Sequence, residues 1–267
     1  MKLSSALNGK FKDGLIRTIA RSGSLLLCTD FDGTLVTFTG TPSETSLPLE
    51  TEKLLSKLAS SDRLHIAVIS GRSYSELAEL VPLENATLAG NHGLKIRFED
   101  GTVHELDTSQ ETHRAISAIK SDLQKSVGEE EGIIIEDKKF GLALHYRQYE
   151  GNEEKIKDKF WQIWNEHSIP DLEVIEGAKL LEVRPGNWNK GDAVELLQEK
   201  WDGIPTIYIG DDTTDEDAFR VLRGQDTGIP VIVSKKEEVE TEAQYGLKDP
   251  EEVAEFLRKI QEIFGAT

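Results

Sequence analysis

The sequence predicts an α/β fold in which a doubly wound parallel sheet is interrupted by an inserted α+β domain. Three observations lead to this prediction. Short apolar runs alternate with helical patterns in the first part of the chain. That alternation is lost between about residues 108 and 185, and it returns after Pro185.

The first part of the chain begins with an apolar run, Leu25–Thr29, which predicts a buried strand that ends at Asp30. Leucines on one face predict a helix over residues 48–59. A second buried strand is predicted at 65–69, with a helix following from about Tyr74. Alternation at this spacing indicates βαβ units and therefore a parallel, Rossmann-like sheet.

The middle of the chain follows a different pattern. Asp100-Gly101 lies between two strand-like runs, 95–98 and 102–105, which is typical of a hairpin. Further on, helices are interspersed with pairs of strands rather than with single strands. The predicted elements are a helix through Ile119, strands at 133–136 and 141–145, a helix through Phe160, and strands at 172–175 and 179–183.

After Pro185 the α/β alternation resumes. Helices are predicted from about Lys190 and Thr214 and near the end of the chain, and strands at 206–209 and 230–233. We therefore expect a core domain made of residues 1–107 and 186–267, with an α+β insert over 108–185.

Composition limits the classes of function. The 267 residues include 49 Asp and Glu against 31 Lys and Arg, a formal net charge of −18. Such a surface repels phosphate backbones and anionic lipids, so we expect neither a nucleic-acid partner nor a membrane partner. The single cysteine, Cys28, allows no internal disulfide, and no long apolar segment is present. We expect a cytoplasmic monomer.

The motif Asp30-Phe31-Asp32-Gly33-Thr34 directly follows the first predicted strand. Ligands of open α/β sheets bind at the carboxyl ends of the strands, so this position suits a site. Two carboxylates this close require a cation or a proton between them, and they can divide the work of nucleophile and proton donor. An Asx turn at the end of a strand is the alternative interpretation.

A second acidic motif follows the predicted strand at 206–209, and it includes Asp211, Asp212 and Asp215. Clustered carboxylates form the hard-oxygen environment that Mg²⁺ prefers. The alternative is that these residues cap the next helix, where negative charge is also favourable.

Two shorter motifs complete the set. Lys190 opens a predicted helix beside Gly191, where an ammonium group and backbone amides both attract phosphate. Ser70, before Gly71-Arg72, follows the second predicted strand and can donate its hydroxyl hydrogen to phosphate. Each has an ordinary alternative when taken alone: Lys190 as a solvated surface lysine and Ser70 as a turn serine.

In this order, the four motifs resemble those of the haloacid-dehalogenase superfamily of aspartate-based phosphotransferases. The resemblance implies that Asp30 is the nucleophile, that Asp32 is the general acid and base, and that Lys190 neutralises the phosphate. It implies Mg²⁺ as the cofactor. The implied phosphate-binding residues are Asp30, Thr34, Ser70, Gly71 and Lys190, and the implied metal ligands are Asp30, Asp32, Asp211 and either Asp212 or Asp215.

The insert is similar to the large cap domains of that superfamily. Several local sequences narrow the resemblance to the trehalose-6-phosphate phosphatases: 90–93 (GNHG), 144–147 (LHYR), 179–185 (KLLEVRP) and 210–219 (GDDTTDEDAF). This resemblance implies a phosphatase that releases trehalose and phosphate from trehalose 6-phosphate. The implied substrate-binding residues are Asn91, His92, Arg147, Lys179 and Glu182.

Three alternatives remain open at this stage. The substrate could be another sugar phosphate, of sucrose, mannosylglycerate or glucosylglycerol. The same core could act as a sugar phosphomutase, or the chain could be a non-catalytic sugar or metal sensor. Within the insert, Arg147 and Glu182 could instead form structural ion pairs on exposed strands.

Overall fold

The structure is a computed structural model that describes residues 4–7, 11, 14, 18, 21–37, 45–236 and 238–265. Its contacts divide the chain into two units. One unit comprises Met1–Glu105 and Asn189–Thr267, and the other comprises Leu106–Trp188. Each unit has a hydrophobic core of its own.

Within the described residues the strands form two sheets, nine strands in the first unit and four in the second. In chain order the strands are β1 (Ser4–Ser5), β2 (Leu25–Thr29), β3 (Leu64–Ile69), β4 (Thr87–Gly90), β5 (Lys95–Arg97), β6 (Val103–Glu105), β7 (Ile134–Asp137), β8 (Leu142–His145), β9 (Leu172–Gly177), β10 (Leu180–Pro185), β11 (Thr206–Gly210), β12 (Gly228–Val233) and β13 (Tyr245–Leu247).

Seven helices are described in full. They are α1 (Leu49–Ala59), α2 (Tyr74–Leu80), α3 (Gln110–Val127), α4 (Glu153–His167), α5 (Lys190–Lys200), α6 (Glu216–Arg223) and α7 (Pro250–Gly265). Short polar residues begin several of them as the capping rules predict; Ser73, Ser109 and Asn152 each accept a backbone N–H of the first turn. In the described part of the chain, no helix has the length and apolar character needed to cross a membrane.

The large sheet has the order β1-β13-β12-β11-β2-β3-β4-β5-β6. All neighbours from β1 to β4 are parallel, and only β5 and β6 add antiparallel pairs. The order reverses between β11 and β2, which makes this the topological switch point. Every residue of β2 is buried, as expected for a central parallel strand covered on both faces. The predicted fold class is confirmed.

The small sheet is antiparallel and has the order β7-β8-β10-β9. Residues on the apolar faces of α3 and α4, such as Ile119 and Phe160, belong to one buried hydrophobic cluster with Leu144 and Val183 of the sheet. This arrangement of an antiparallel sheet with helices is the α+β pattern predicted for this stretch of the chain.

The structure corrects the sequence prediction at several elements. Strands β1, β4 and β13 were not predicted, and the helix expected from about Thr214 begins at Glu216 after a short 3₁₀ turn. Lys179, predicted at the start of a strand, lies instead in the turn between β9 and β10 with φ of 65°. A lysine rarely adopts this left-handed backbone conformation, which belongs to a turn and not to a strand. Lys179 therefore does not take part in the strand pairing of β9 with β10.

Candidate active site

The carboxyl ends of β11, β2 and β3 lie side by side at the switch point of the large sheet. Asp30 directly follows β2, Ser70 follows β3, and Asp211 follows β11. The backbone N–H of Asp30 donates to the carbonyl of Ile209 over 2.8 Å, which holds this loop against the neighbouring strand. Parallel pairing therefore gathers three of the four sequence motifs at one edge of the sheet.

Lys190 brings in the fourth motif. It is the first residue of α5, which Asn189 caps in a reciprocal capping box with Asp192. Its side chain is buried, and Nζ donates to Oδ1 of Asp30 and to Oδ1 of Asp215, each over 2.7 Å. Burial opposes the charge, but the two carboxylates outweigh it and raise the pKa of Lys190. The ammonium is thus held charged inside the protein.

Three carboxylates surround this ammonium. Asp30, Asp211 and Asp215 each offer an oxygen, and these oxygens lie within 4.8 Å of one another. Burial raises the pKa of Asp30 well above its usual range, and the charges of Asp215 and Asp211 add to this effect. Burial and Asp215 likewise raise the pKa of Asp211 to about 7. One lysine therefore leaves negative charge uncompensated, which is the environment that a divalent cation would relieve.

Asp215 is the most enclosed of the three carboxylates, with no exposed surface. Its Oδ2 accepts the backbone N–H groups of Asp211 and Asp212 over 2.9 and 3.0 Å. Its Oδ1 also accepts the hydroxyl of Tyr208, a buried residue of β11, over 2.7 Å. Sequence reasoning missed Tyr208, because a tyrosine in an apolar strand is normally a packing residue. Only the folded structure shows that the hydroxyl group of Tyr208 contacts Asp215.

Asp212 lies outside this group. Its carboxylate is exposed and caps the 3₁₀ turn, where Oδ1 accepts the N–H of Thr213 over 2.6 Å. Of the two residues left open by the sequence as a partner of Asp211, the structure thus brings Asp215 and not Asp212 to the cluster. Asp212 has the helix-capping role that was the alternative interpretation of this motif.

The Asp32–Thr34 loop contacts the carboxylate cluster of Asp30, Asp211 and Asp215 through Asp211. Thr34 is buried and donates its hydroxyl hydrogen to Oδ1 of Asp211 over 3.2 Å. Gly33 has φ of 82°, and a Cβ added there would lie 2.0 Å from a carboxylate oxygen of Asp211. The glycine is required for both its backbone conformation and this close approach. Asp32 itself points to Arg72, whose guanidinium contacts both of its carboxylate oxygens.

The loop after β3 packs against a turn that follows β4. Asn91 and His92 both have positive φ, of 52° and 57°, and both are buried. The N–H of His92 donates to the carbonyl of Ser70 over 2.8 Å, and a Cβ on Gly71 would meet the imidazole at 2.7 Å. Two adjacent residues in a strained backbone conformation are held here by their surroundings, a feature common at binding sites.

The three remaining predicted residues lie in the second unit. Arg147 is exposed and donates to the carbonyl of Ala178 over 2.9 Å. Lys179 is exposed and forms an ion pair with Glu153. Glu182 is buried in β10 and forms an ion pair of 3.0 Å with Lys138, so its partner is a buried cation rather than a surface one.

Comparison with solved structures identifies the fold. A haloacid dehalogenase-like hydrolase from Bacteroides thetaiotaomicron matches 89% of this chain and 99% of its own, with a TM-score of 0.65 at 15% identity. Similarity at this level shows a shared fold. The doubly wound sheet with its insert is therefore a fold that this chain shares with that haloacid dehalogenase-like hydrolase.

The family is more specific. A family model described as trehalose-phosphatase matches residues 28–251, so the chain belongs to the trehalose-phosphatase family and the predicted family and enzyme class are confirmed. Probable trehalose-phosphate phosphatase 2 of Oryza sativa subsp. japonica is 33% identical over 273 residues, covering 92% of this chain and 70% of the relative. The trehalose-phosphate phosphatase of Mycobacterium bovis is 31% identical over 256 residues, covering 93% of this chain and 63% of the relative.

Solved structures agree with this assignment. The C-terminal domain of the C. albicans trehalose-6-phosphate phosphatase is similar to this chain with a TM-score of 0.80 at 26% identity. The match covers 98% of both chains. The similarity therefore extends through both units and is not limited to the sheet that carries the acidic cluster.

Proposed function

We propose that this protein is a Mg²⁺-dependent phosphatase that hydrolyses trehalose 6-phosphate to trehalose and phosphate. The observation that carries the proposal is the buried ammonium of Lys190, held between Asp30 and Asp215 at the switch point. A buried cation beside a candidate carboxylate nucleophile provides a place for a phosphoryl group. The names of the relatives support trehalose 6-phosphate as the substrate.

The chain's own residues account for a two-step transfer. A carboxylate oxygen of Asp30 attacks phosphorus, and the bond from phosphorus to the sugar oxygen breaks while the carboxyl group of Asp32 gives that oxygen its proton. The carboxylate of Asp32 then takes a proton from water, whose oxygen attacks the aspartyl phosphate. Phosphate leaves and Asp30 is restored. Lys190, Thr34 and the Ser70-Gly71 loop bind the phosphate oxygens.

The residues around Lys190 fit a magnesium ion. Asp30 and Asp211 belong to a group of three carboxylates around one lysine, and burial together with the neighbouring negative charges raises the pKa of both. We propose Asp30, Asp211 and the backbone carbonyl of Asp32 as ligands, with Asp215 completing the acidic environment. When bound, the ion neutralises charge on the phosphoryl oxygens. Asp212 shapes the turn.

We propose that the second unit, as a cap, selects the sugar. A core that transfers any phosphoryl group needs other groups to distinguish one sugar from another, and Arg147, Lys179 and Glu182 offer donors and acceptors for hydroxyl groups. Asn91 and His92, beside Ser70, would contact the end of the substrate nearest the phosphate. We propose that this cap domain comprises residues 108–185 and that residues 1–107 and 186–267 form the core domain.

We also propose a monomer in the cytoplasm. A single cysteine, buried in β2, is consistent with a reducing compartment. Light scattering on the purified protein measures its mass directly, and a dimer would contradict the first part of this proposal.

The test is release of inorganic phosphate from a panel of sugar phosphates with and without Mg²⁺. We expect trehalose 6-phosphate to give the largest kcat/KM and chelator to abolish turnover. Faster hydrolysis of another sugar phosphate would identify a different phosphatase of the same class, and a requirement for a sugar bisphosphate would identify a mutase. Phosphate release from no ester would favour a sensor.

Within this panel, Lys179→Ala and Glu182→Gln test the cap. Loss of a group that binds a sugar hydroxyl costs ~1–3 kcal/mol, or about ten- to a hundredfold in rate. We expect that loss for trehalose 6-phosphate and a much smaller change for a small aryl phosphate. An equal loss for both substrates would assign these residues to folding, and unchanged rates would remove them from the site.

A further inference from the structure

Asp32 and Arg72 form a bidentate ion pair, and the proposed reaction assigns no role to Arg72. Nε of Arg72 donates to Oδ2 of Asp32 over 2.6 Å, and Nη2 donates to Oδ1 over 2.8 Å. A planar guanidinium that contacts both oxygens of a carboxylate fixes its distance and the rotation of its plane. Arg72 thus determines how the Asp32 carboxyl group is oriented.

Arg72 is itself held on several sides. Its Nη1 donates to Glu76 in the first turns of α2, and its guanidinium lies 5.5 Å from the ring centroid of Phe31. The backbone N–H of Arg72 donates to Oγ of Ser70 over 3.2 Å. A long side chain with only 7% of its surface exposed has therefore lost most of its rotational freedom. Such an arginine can act as a fixed support.

The same contact leaves Asp32 able to react. A carboxylate has about four lone-pair sites, and the guanidinium occupies two of them. A quarter of the Asp32 side chain is exposed, against almost none of Arg72. The carboxylate of Asp32 is therefore anchored to Arg72, while part of its side chain remains exposed.

We propose that Arg72 is a positioning residue that aligns the carboxyl group of Asp32 for proton transfer to the leaving sugar oxygen. This inference rests on the proposed role of Asp32 as general acid. General acids act over hydrogen-bond distances, so a carboxyl group that swings freely spends little time within reach of the leaving oxygen. Arg72 would contact neither substrate nor metal.

The role has a kinetic signature that a purely structural role lacks. A sugar oxygen is a poor leaving group and needs a proton as its bond to phosphorus breaks, whereas 4-nitrophenoxide leaves without one. Loss of alignment should therefore slow the ester with the poor leaving group selectively. The ratio kcat/KM includes only the steps up to leaving-group departure, so it isolates this effect from hydrolysis of the phosphoenzyme.

The experiment compares kcat/KM for phenyl phosphate, 4-nitrophenyl phosphate and trehalose 6-phosphate in wild type, Arg72→Lys and Asp32→Asn. Positioned general acids contribute ~10²–10⁴-fold. On that scale we expect Arg72→Lys to lose ~10–100-fold on trehalose 6-phosphate and phenyl phosphate, and less than ~3-fold on 4-nitrophenyl phosphate. Asp32→Asn should show the same selectivity in larger measure. Lysine keeps the positive charge but cannot contact both oxygens.

The matched control is Arg97→Lys, because the guanidinium of Arg97, in the same unit, donates to the backbone carbonyls of residues 83, 84 and 86. It should lower the Tm without changing the ratio between the two aryl esters. In an Asp32→Asn background, Arg72→Lys should cause no further loss of selectivity. If Arg72→Lys proves unstable, Glu76→Gln, which loosens Arg72 from its far side, should show the same selectivity more weakly.

The outcomes separate the inference from the proposed function. An equal loss on both aryl esters, or additive losses in the double variant, would overturn the positioning role while leaving a working phosphatase. Wild-type protein that hydrolyses none of the three esters would instead overturn the proposed function. Selective loss that disappears in the Asp32→Asn background is the result that supports Arg72 as the residue that aligns Asp32.

Discussion

Lys190 donates a hydrogen bond of 2.7 Å to Asp30 although 160 positions separate them in the chain. Both residues are almost fully buried, and the ammonium also contacts Asp215. The contact joins the loop after β2 to the first turn of α5. It keeps a candidate nucleophile next to a fixed positive charge, which is the arrangement that attack on an anionic phosphate ester requires.

Asp30→Asn should abolish turnover and, at the same time, stabilise the metal-free protein. The raised pKa of Asp30 means that the folded state disfavours its charge, so at neutral pH this residue lowers the free energy of unfolding. We expect the Tm to rise by about 2–4 °C for each ~1 kcal/mol relieved. Asp212→Asn, which neutralises an exposed carboxylate nearby, is the control. A lower Tm for Asp30→Asn would contradict the argument.

Mg²⁺ should raise the Tm of the wild-type protein, since it binds only the folded state. At a concentration of ~100 Kd the stabilisation is ~2.7 kcal/mol. Asp211→Asn should lose most of that shift, whereas Asp226→Asn, which changes an exposed acid, should retain it. Ca²⁺ should bind but inhibit, because its longer and looser coordination misplaces the phosphate. An equal Mg²⁺ shift in both variants would remove Asp211 from the metal site.

Gly33→Ala should inactivate the enzyme, and Gly101→Ala should not. The two glycines have nearly the same φ, 82° and 81°, so both substitutions introduce the same backbone strain. Only at Gly33 would the new Cβ meet a carboxylate, that of Asp211 at 2.0 Å, while nothing lies within 4 Å of one at Gly101. Thermal unfolding and kcat measured on both variants separate strain from displacement of Asp211. Equal activity would show that the loop accommodates the methyl group.

The ion pair of Lys138 and Glu182 should make either single substitution strongly destabilising. Both side chains are only 8% exposed, so removing one partner takes away part of the compensation of a buried charge, which costs up to ~3–5 kcal/mol. Lys138→Met or Glu182→Leu should therefore lower the urea midpoint markedly, and the double variant should recover most of the loss. Lys179→Ala, which removes an exposed partner of Glu153, should cost less than ~1 kcal/mol. Additive single and double effects would argue against a coupled pair.

Glu136 should make the protein sensitive to acid. Burial raises its pKa, but the hydrogen bond from His145, 2.8 Å long, and the charge of Lys138 outweigh burial, and the pKa is lowered overall. Its stabilising contribution is therefore complete above its ordinary value of 4.5 and is lost as the pH falls below it. Urea midpoints between pH 7 and 3.5 should fall less steeply in Glu136→Gln than in wild type. The exposed Glu129→Gln should not differ from wild type.

The pattern of apolar residues in the sequence was sufficient to predict the elements that depend on local interactions. The apolar run of β2 ends one residue before Asp30, and the hairpin β5–β6 turns at Asp100-Gly101 as predicted, because turn chemistry and burial on both faces act over a few residues. Strand β4 escaped prediction because four residues carry no clear period. Strands β1 and β13, of two and three residues at one end of the sheet, are shorter still.

The sequence by itself determined the α/β class, the family and the motifs that end the central strands. Only the tertiary structure decided which of their side chains meet. Parallel pairing at the switch point brings Asp30 and Asp211 together, and the first turn of α5 adds Lys190. The capping geometry turns Asp212 outward, and the fold gives Asp32 its partner Arg72. The reason is physical: helix caps and apolar periods are encoded within one element, but contacts between strands that are distant in the chain depend on the order of the sheet.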